Sequence, residues 1–534
     1  MNKTWDFIVV GAGSAGCVLA STLSENPAVS VLLIEAGGPA TNPWIHIPIG
    51  YFKTVGNPTT DWCFQTEPEK GLANRSIVWP RGKVIGGSGA INGLIYVRGQ
   101  SGDYDRWQQL GCEGWGWHDV LPYFIRSERQ ERGASELHGN SGPLGVSDNR
   151  ADFEICDCFV DAAVASGLPR KDDCNDGNPE GVGYYQTTTW NGFRSSTATG
   201  YLRPARKRSN LTVVTGALCE RILIEQIRAT GIAYRGKDGT LIKAYCQREV
   251  LLCAGTIGSP QLLMLSGIGD AEHLLAHGID VVLDKPEVGQ NLQDHLKIHN
   301  SYKTRIKTLN DRLNSTFGKL GIGLQYLLTR RGPLAMAAAP VFCFARTDQN
   351  LTSPDTQFHV LPWSSDQPST GVMDPFSGFT VSLCPLRPES RGEIRLKSAD
   401  PAAAPLIRAN YLDTDNDRRT AIAILKLSRD ICSHSPLSDI IIKEHAPGPE
   451  AVTDEQLLDH VRQTAATLFH PVGTCRMGAD PAAVVDPQLR LNGIAGLRVV
   501  DASIMPEITS GNTNAAVVMI AEKASDMILA DNDA

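Results

Sequence analysis

The opening forty residues constrain the fold of this chain more than any other stretch. Residues 6–10 form a short apolar run of the kind found in buried parallel strands. A GxGxxG sequence follows at 11–16, then an apolar stretch at 17–23 and a second strand-like run at 29–34 that ends in Glu35. This order predicts a strand, a glycine turn, a helix and a second strand, the unit that binds the ADP part of a dinucleotide.

Each part of this unit has a physical role. Gly11 permits the turn, Gly13 lets the backbone approach a pyrophosphate, and Gly16 lets the helix pack on the sheet. The helix N-terminus offers N–H groups to the phosphates. Glu35, 19 residues after Gly16, suits the ribose hydroxyls and disfavours NADP, but nothing here distinguishes FAD from NAD. A glycine-rich turn without a ligand is the alternative. The predicted contacts are Gly11, Gly13, Ser14, Ala15, Gly16, Glu35 and Ala36.

The composition limits the class of protein. A chain of 534 residues with 42% hydrophobic and 20% charged residues is typical of a globular protein with two or more domains. The net charge of −8 argues against nucleic acid as a main partner. No apolar run reaches the roughly 18 residues of a membrane helix. The 13 cysteines include no CxxC, which predicts reduced thiols, a cytoplasmic location and no metal site.

The middle of the chain has a different pattern. Apolar strands at 357–361 and 379–383 and a helix from about 415 to 432 fall within residues 302–454. This mixture predicts an antiparallel sheet with helices, that is, a second domain. Before it, the repeated glycines of residues 81–93 predict a loop whose backbone lies against a flat or charged ligand.

Four longer stretches carry a family resemblance. Residues 81–92, 255–269, 468–478 and 497–514 resemble, in order, the signatures of the glucose–methanol–choline (GMC) oxidoreductases. Shorter matches at 289–295 and 390–392 agree, and the matches span nearly the whole chain. The chain is most similar to the bacterial choline-dehydrogenase-like branch.

The resemblance implies an α/β (α+β) fold with two interleaved parts. A Rossmann-like FAD-binding domain would comprise residues 1–155, 196–309 and 466–534. A substrate-binding domain, built on an antiparallel sheet flanked by helices, would comprise 156–195 and 310–465. Some members bind FAD covalently through a histidine at the position of Ile91, so we expect non-covalent FAD here.

The resemblance also implies the catalytic residues. His470 occupies the position of the family's catalytic histidine, and a neutral imidazole suits a base that accepts a hydroxyl proton. The family places a second His or Asn about forty-four residues later, which falls on Asn514, with Asn512 as the near competitor that lines the flavin. A single histidine should then dominate the pH dependence of the rate.

Further site residues follow from the same resemblance. Expected cofactor contacts are Arg81, Gly86, Gly87, Ser88, Asn92, Gly93, Val214, Ala254, Gly255, Asp501, Ala502 and Asn512. Candidates for the substrate cavity are Phe469, Phe358, Trp363 and His359, for which a role in the core is equally consistent with the sequence.

The expected function is FAD-dependent oxidation of a primary alcohol to the aldehyde, with electrons passed to a quinone or another acceptor. The alcohol is left open among sugars, polyols, choline-like, aliphatic and aryl alcohols. An oxygen-using oxidase that releases hydrogen peroxide is the first alternative, and an FAD-dependent lyase or a non-catalytic FAD-binding protein are others. A choline site would need an acid and an aromatic cage around the ammonium.

Overall fold

The structure, a computed structural model, describes residues 4–366 and 372–533. Its strands are β1 (Thr4–Val10), β2 (Val31–Glu35), β3 (Phe64–Gln65), β4 (Val78–Trp79), β5 (Glu128–Gln130), β6 (Leu144–Asp148), β7 (Gly181–Tyr184), β8 (Gln186–Thr187), β9 (Thr189–Trp190), β10 (Phe193–Arg194), β11 (Leu211–Thr215), β12 (Leu218–Glu225), β13 (Arg228–Arg235), β14 (Leu241–Leu252), β15 (Ile268–Gly269), β16 (Leu283–Asp284), β17 (Leu296–Thr304), β18 (Val341–Ala345), β19 (Thr356–Leu361), β20 (Gly378–Pro385), β21 (Glu393–Arg395), β22 (Leu406–Arg408), β23 (Ile441–Ala446), β24 (Ala466–Thr467) and β25 (Leu497–Val499).

Its helices are α1 (Ser14–Leu23), α2 (Pro43–His46), α3 (Tyr51–Thr54), α4 (Gly87–Ile91), α5 (Ser101–Gln109), α6 (Trp117–Ser127), α7 (Glu154–Ala165), α8 (Arg203–Ala205), α9 (Gly255–Leu265), α10 (Ala271–Ala276), α11 (Leu309–Leu313), α12 (Thr316–Thr329), α13 (Asp415–Cys432), α14 (Leu437–Ile440), α15 (Asp454–Thr464) and α16 (Asn514–Asp533). In the part of the chain that is described, no helix is both long enough and apolar enough to cross a membrane.

The first sheet contains the dinucleotide-binding unit. Its order is β11-β2-β1-β14-β13-β12, with β25 paired to β14, and the pairs around β1, β2, β11 and β25 are parallel. The strand β2 is buried along its length, as expected of a parallel strand covered on both faces. Helix α1 packs against α16, so the two ends of the chain meet at this sheet. The predicted α/β architecture is confirmed.

The second sheet is antiparallel and has helices packed on it. Its order is β23-β17-β20-β19-β18-β7, with β24 paired to the start of β17. Helices α7 and α13 pack against its strands. This sheet is the antiparallel unit that the strand pattern of the middle of the chain predicts.

The boundary between the two parts differs from the predicted one at two strands, β17 and β24. The predicted FAD-binding segment 196–309 includes β17, yet β17 pairs with β20 on one side and β23 on the other. The two-residue β24, at the start of the predicted segment 466–534, pairs with β17 as well. Both strands belong to the second sheet because their hydrogen-bonding partners lie there, and such long-range pairing has no local signal in the sequence.

Candidate active site

A cavity of about 950 Å³ is lined by residues of both sheets. Gly11, Gly13 and Glu35 of the dinucleotide unit line the cavity on the side of the first sheet. His470 and Asn512, from the C-terminal part of the chain, line it as well. The volume is at the upper end of the range for pockets that hold cofactors and small ligands. The cavity therefore brings the two predicted halves of the site together.

The glycine turn forms a cradle that larger residues would fill. Gly11 has φ +98°, a conformation that side chains rarely adopt, and a Cβ on Gly16 would lie 1.9 Å from the carbonyl oxygen of Gly11. A Cβ on Gly87, at the start of α4, would lie 2.7 Å from the Cα of Gly13. The backbones of the first signature loop and the nucleotide turn thus approach closely beside the N-terminus of α1. This arrangement fits the pyrophosphate of a dinucleotide.

Glu35 is held at the end of β2 by the backbone. Its Oε2 accepts the N–H of Ala12 at 2.8 Å and its Oε1 accepts the N–H of Gly37 at 2.7 Å. Burial raises the pKa of this carboxyl group to about 7, although both N–H groups favour the charged form. Each oxygen keeps a second lone pair, so the ribose contact stays a prediction consistent with the geometry.

Two further cofactor candidates, Asn92 and Asp501, are positioned by hydrogen bonds from neighbouring residues. Asn92 Oδ1 accepts from Arg194 Nη1 at 2.6 Å, which leaves the amide N–H₂ of Asn92 for the cavity. Arg194 is buried, and desolvation lowers its pKa to about 9. Asp501 Oδ2 accepts from the N–H of Gly255 at 2.8 Å and from Ser259 Oγ at 2.6 Å, and so joins its loop to the start of α9.

Most predicted site residues line the cavity. Those that do are Gly11, Gly13, Ser14, Ala15, Glu35, Ala36, Arg81, Gly87, Ser88, Asn92, Gly93, Ala254, Gly255, Phe469, His470, His359, Trp363, Asp501, Ala502, Asn512 and Asn514. Ile91, the residue at the covalent position of some relatives, lines it too.

Four predicted site residues lie outside the cavity lining. Gly16 packs α1 on Gly11, and the N–H of Gly86 donates to Ala12 O at 2.7 Å, so both shape the cradle from behind. Val214 sits in β11, paired with Ile34 of β2. Phe358 is a correction: it is fully buried in the hydrophobic core. Because successive strand residues face opposite sides, only its neighbour His359 reaches the cavity.

The ring of His470 is the end of a chain of hydrogen bonds. His295 Nε2 lies 3.0 Å from the carbonyl oxygen of Leu386, which only accepts, so Nε2 carries the proton of His295. His295 Nδ1 is then an acceptor, and it lies 3.0 Å from His470 Nδ1, which must donate. His470 Nε2 is left with its lone pair, the form required of a base.

Burial keeps these rings neutral. Desolvation lowers the pKa of His295 to about 4. The pKa of His470 is well below its ordinary value, chiefly because of burial and further because His295, His359 and Arg81 are close. His470 therefore holds an unprotonated Nε2 at neutral pH.

The backbone of His470 is fixed as firmly as its ring. Asp294 Oδ1 accepts the N–H of His470 at 2.7 Å, and its Oδ2 accepts from Thr467 Oγ1 and the hydroxyl of Tyr411. Burial raises the pKa of Asp294 to about 6. The preceding residue, Phe469, has φ +69°, an uncommon conformation for a residue with a side chain. Sequence reasoning did not assign a role to Asp294 or His295, although the short family match at 289–295 pointed to them.

The partner of His470 differs from the predicted one. Asn512 Nδ2 lies 3.0 Å from His470 Nε2, and its Oδ1 accepts from Gln357 Nε2 at 3.3 Å. Asn514 instead accepts from Ser14 Oγ at 2.7 Å. The reason is that Asn514 is the first residue of α16, which packs on α1, whereas Asn512 precedes the helix and reaches the imidazole.

Comparisons with known proteins identify the family. Residues 5–297 and 388–521 match the two GMC oxidoreductase family models. The chain is 41% identical to an alcohol dehydrogenase [acceptor] of Pseudomonas putida, over 98% of this chain and 96% of that protein. It is 42% identical to an oxygen-dependent choline dehydrogenase of Brucella suis biovar 1, over 98% of this chain and 95% of that protein.

Solved structures share the architecture over the full length. The crystal structure of pyridoxine 4-oxidase from Mesorbium loti has a TM-score of 0.88 and 33% identity, covering 98% of this chain and 99% of that chain. A variant of the formate oxidase of Aspergillus oryzae has a TM-score of 0.92 and 27% identity, covering 100% and 99%. With two family models covering most of its length and close full-length relatives, the chain belongs to the GMC oxidoreductases, enzymes that use FAD to oxidise alcohols.

Proposed function

We propose that the protein oxidises a primary alcohol to the aldehyde, with His470 as the base and Asn512 as the second contact to the substrate oxygen. The observation that supports this most is the 3.0 Å contact between Asn512 Nδ2, a donor, and His470 Nε2, an acceptor, at the cavity wall. A hydroxyl group is both donor and acceptor, so it complements this pair. The alcohol would donate to Nε2 and accept from Nδ2.

The protein's own groups manage the proton and the charge. His470 Nε2 accepts the hydroxyl proton, and the resulting imidazolium keeps its Nδ1–H bond to His295. Asn512 Nδ2 donates to the oxygen as negative charge develops on it, which is worth roughly a hundredfold in rate for one such donor. FAD, when bound, supplies the hydride acceptor.

We propose that the FAD is held without a covalent bond. The cradle of Gly11, Gly13 and Gly87 suits the pyrophosphate, and Glu35 suits the ribose. Ile91 lines the cavity but has no nucleophilic atom. Acid precipitation should therefore release all of the yellow cofactor into the supernatant, and a pellet that stays yellow would contradict this.

We favour a quinone, rather than oxygen, as the electron acceptor, because of the surface of helix α12. This helix exposes a cluster of large apolar side chains, with exposed fractions from 54% to 87%: Phe317, Leu320, Leu324, Leu327 and Leu328. Large exposed apolar patches commonly mark contact surfaces. The buried side of α12 packs through Ile322 in one cluster with Trp363, which lines the cavity.

The charges around α12 indicate what this surface contacts. Residues 312–346 contain no Asp or Glu, while Lys319, Arg330 and Arg331 lie on or next to the helix. An apolar helix face flanked by basic residues fits the surface of an anionic bilayer, where a lipid-soluble quinone is dissolved. We therefore propose that electrons leave to a membrane quinone.

One experiment separates the candidate reactions. The holoenzyme is mixed anaerobically with a panel of primary alcohols, bleaching of the oxidised flavin is followed, and then air or a soluble quinone is admitted. We expect bleaching by at least one alcohol, fast reoxidation by quinone and slow reoxidation by air. Fast reoxidation by air with stoichiometric peroxide would identify an oxidase, and a flavin that no alcohol bleaches would favour the lyase.

A further inference from the structure

The second sheet presents a row of polar side chains to the cavity. His299 of β17 pairs with Ser382 of β20, and Ser382 pairs with His359 of β19. Directly paired residues point to the same face, so these three side chains lie in one row across three strands. Lys297 precedes His299 by two positions and shares its face. All four residues line the cavity.

Two polar atoms of this row lack partners among the described residues. His299 Nδ1 and Ser382 Oγ are buried without a hydrogen bond to any described residue, whereas the ring of His359 lies close to Asn512 and to the backbone of Ser382. The exposed fractions of His359 and Ser382 are only 4% and 3%. Buried polar groups in folded proteins are nearly always satisfied, because an unpaired one loses its hydrogen bonds to water without replacing them. The row therefore points to a polar ligand group at this wall.

The charge of the row is positive. Lys297 Nζ lies 5.5 Å from the centre of the Phe469 ring, and among the described residues it forms no ion pair with a carboxylate. The carboxylates that line the cavity, Glu35 and Asp501, already accept backbone N–H bonds at the cofactor side. The cavity wall formed by the second sheet thus carries an ammonium group and, among the described residues, no carboxylate to compensate it.

Each member of the row can donate a hydrogen bond, and the Lys297 ammonium can only donate. Burial lowers the pKa values of His299 and His359 to about 3, with Lys297 contributing to both, so each ring is neutral and offers one N–H. Ser382 offers one O–H, and Lys297, whose pKa burial lowers to about 8, remains mostly protonated at pH 7. An ammonium and three neutral donors together match a monoanionic acceptor group.

We propose that Lys297, His299 and Ser382 bind a carboxylate on the alcohol substrate, while His470 and Asn512 take its hydroxyl group. The substrate class is thus a hydroxy acid with a terminal primary alcohol, and quaternary ammonium alcohols are disfavoured by the Lys297 charge. This inference rests on the proposed alcohol oxidation at His470. His359, paired with Ser382, lines the same cavity as His470 and Lys297.

The test compares an acid with its neutral isostere. The holoenzyme is assayed by anaerobic flavin bleaching with para-hydroxymethylbenzoate and with para-hydroxymethylbenzamide, which differ in charge and hardly in size. We expect kcat/KM to be at least about tenfold higher for the acid, as for one charge-assisted contact. Lys297→Met should remove that preference by raising KM for the acid much more than KM for the amide.

Lys303 provides the matched control. It lies on the same strand, β17, and its Nζ sits 5.5 Å from the Phe376 ring, the same distance that separates Lys297 from Phe469. Lys303 does not line the cavity. Lys303→Met should leave the preference for the acid unchanged. Equal rates for acid and amide in the unaltered enzyme, or an equal loss for both in Lys297→Met, would overturn the proposal.

A binding measurement separates this inference from the proposed reaction. Terephthalate and terephthalamide, which carry no alcohol, are titrated into the holoenzyme by calorimetry. We expect tighter binding of the dianion, lost in Lys297→Met and retained in Lys303→Met. If this holds while no alcohol bleaches the flavin, the proposed oxidation fails and the anion site stands. If terephthalate binds no better than the diamide, the anion site fails whatever the enzyme oxidises.

Discussion

At the scale of single residues, the proposed reaction depends on which side chain lies next to His470. Asn512 and Asn514 are two positions apart, and both line the cavity, yet only Asn512 contacts the imidazole. The amide of Asn514 accepts from Ser14 beside the nucleotide turn. The two asparagines therefore make a matched pair for mutation.

We expect Asn512→Ala to slow flavin bleaching by the alcohol by roughly a hundredfold, because a donor to the developing alkoxide is lost. Asn514→Ala should change that rate constant only slightly and weaken FAD binding instead. Stopped-flow reduction measures the first effect, and the concentration of FAD needed to restore yellow holoenzyme measures the second. A larger loss of rate in Asn514→Ala than in Asn512→Ala would support Asn514 as the second catalytic residue, as expected from sequence.

The pH dependence of the same step tests the state of His470. Burial lowers its pKa well below 6.5, so the ring stays neutral as pH falls through the range in which an ordinary histidine is protonated. The rate constant for bleaching should thus stay level from pH 8 to about 6.5 and decline only in more acidic buffer. An inflection at or above 6.5 that persists with an uncharged alcohol and in Glu35→Gln would show that the ring has an ordinary or raised pKa.

For these residues, the sequence reveals local features but not long-range contacts. The motif around His470 predicts the position of the proposed base, because residue type and spacing are local properties. The choice between Asn512 and Asn514 depended on where α16 begins, and counting residues does not reveal the first residue of a helix. The roles of His295 and Asp294 depend on contacts across some 175 positions of the chain, which no window of sequence contains.

At the scale of elements, the start of α1 against the glycine turn sets the shape of the cofactor cradle. A Cβ on Gly16 would lie 1.9 Å from Gly11 O, and backbone cannot move aside as a flexible side chain can. We expect Gly16→Ala to abolish FAD binding or folding of the first sheet. Gly38, where a Cβ meets nothing within 4 Å, is the control, and Gly38→Ala should yield yellow protein. Cofactor absorbance and thermal unfolding of both variants decide this.

The exposed face of α12 is the second element with a specific consequence. If it docks on a bilayer, the protein should sediment with vesicles of mixed anionic and neutral lipid, and less so at high salt. Leu320→Glu with Leu327→Glu should abolish sedimentation and slow turnover with a lipid-soluble quinone. Turnover with a water-soluble quinone should be unaffected. If this double variant sediments with vesicles as much as the unaltered protein does, the exposed face of α12 is not the membrane contact.

Element boundaries show where sequence patterns fail. The glycine turn between β1 and α1 was located from its residues alone because the turn is built from neighbours in the chain. Strand β17 lies in the segment expected to belong to the FAD-binding part, yet it pairs with β20 and β23 of the second sheet. Phe358 and His359 illustrate the same point, since the register of β19 determines which of them is buried.

At the scale of the whole molecule, the cavity joins the two sheets, so the cofactor should stabilise the fold as a unit. A ligand that binds only the folded state at about 100 times its Kd stabilises it by about 2.7 kcal/mol. We expect the FAD-free protein to unfold at a lower temperature than the holoenzyme, in a transition that shifts with added FAD. Calorimetry of both forms, with FMN as a control lacking the ADP part, measures this. A melting temperature unchanged by FAD would contradict the placement of the cofactor between the sheets.

The segment from His295 to His299 carries one more consequence. Lys297 and His299 share one face of β17 and line the cavity, while the ring of His295 contacts the proposed base His470. The imidazole pair proposed to handle the proton and the lysine proposed to select the substrate are thus adjacent in the chain. They are separable, because a substitution at residue 297 leaves the imidazole pair intact. Divergence among relatives at residue 297 would in this way change the substrate range without changing the chemistry. A single substitution there would reverse the enzyme's preference for charge.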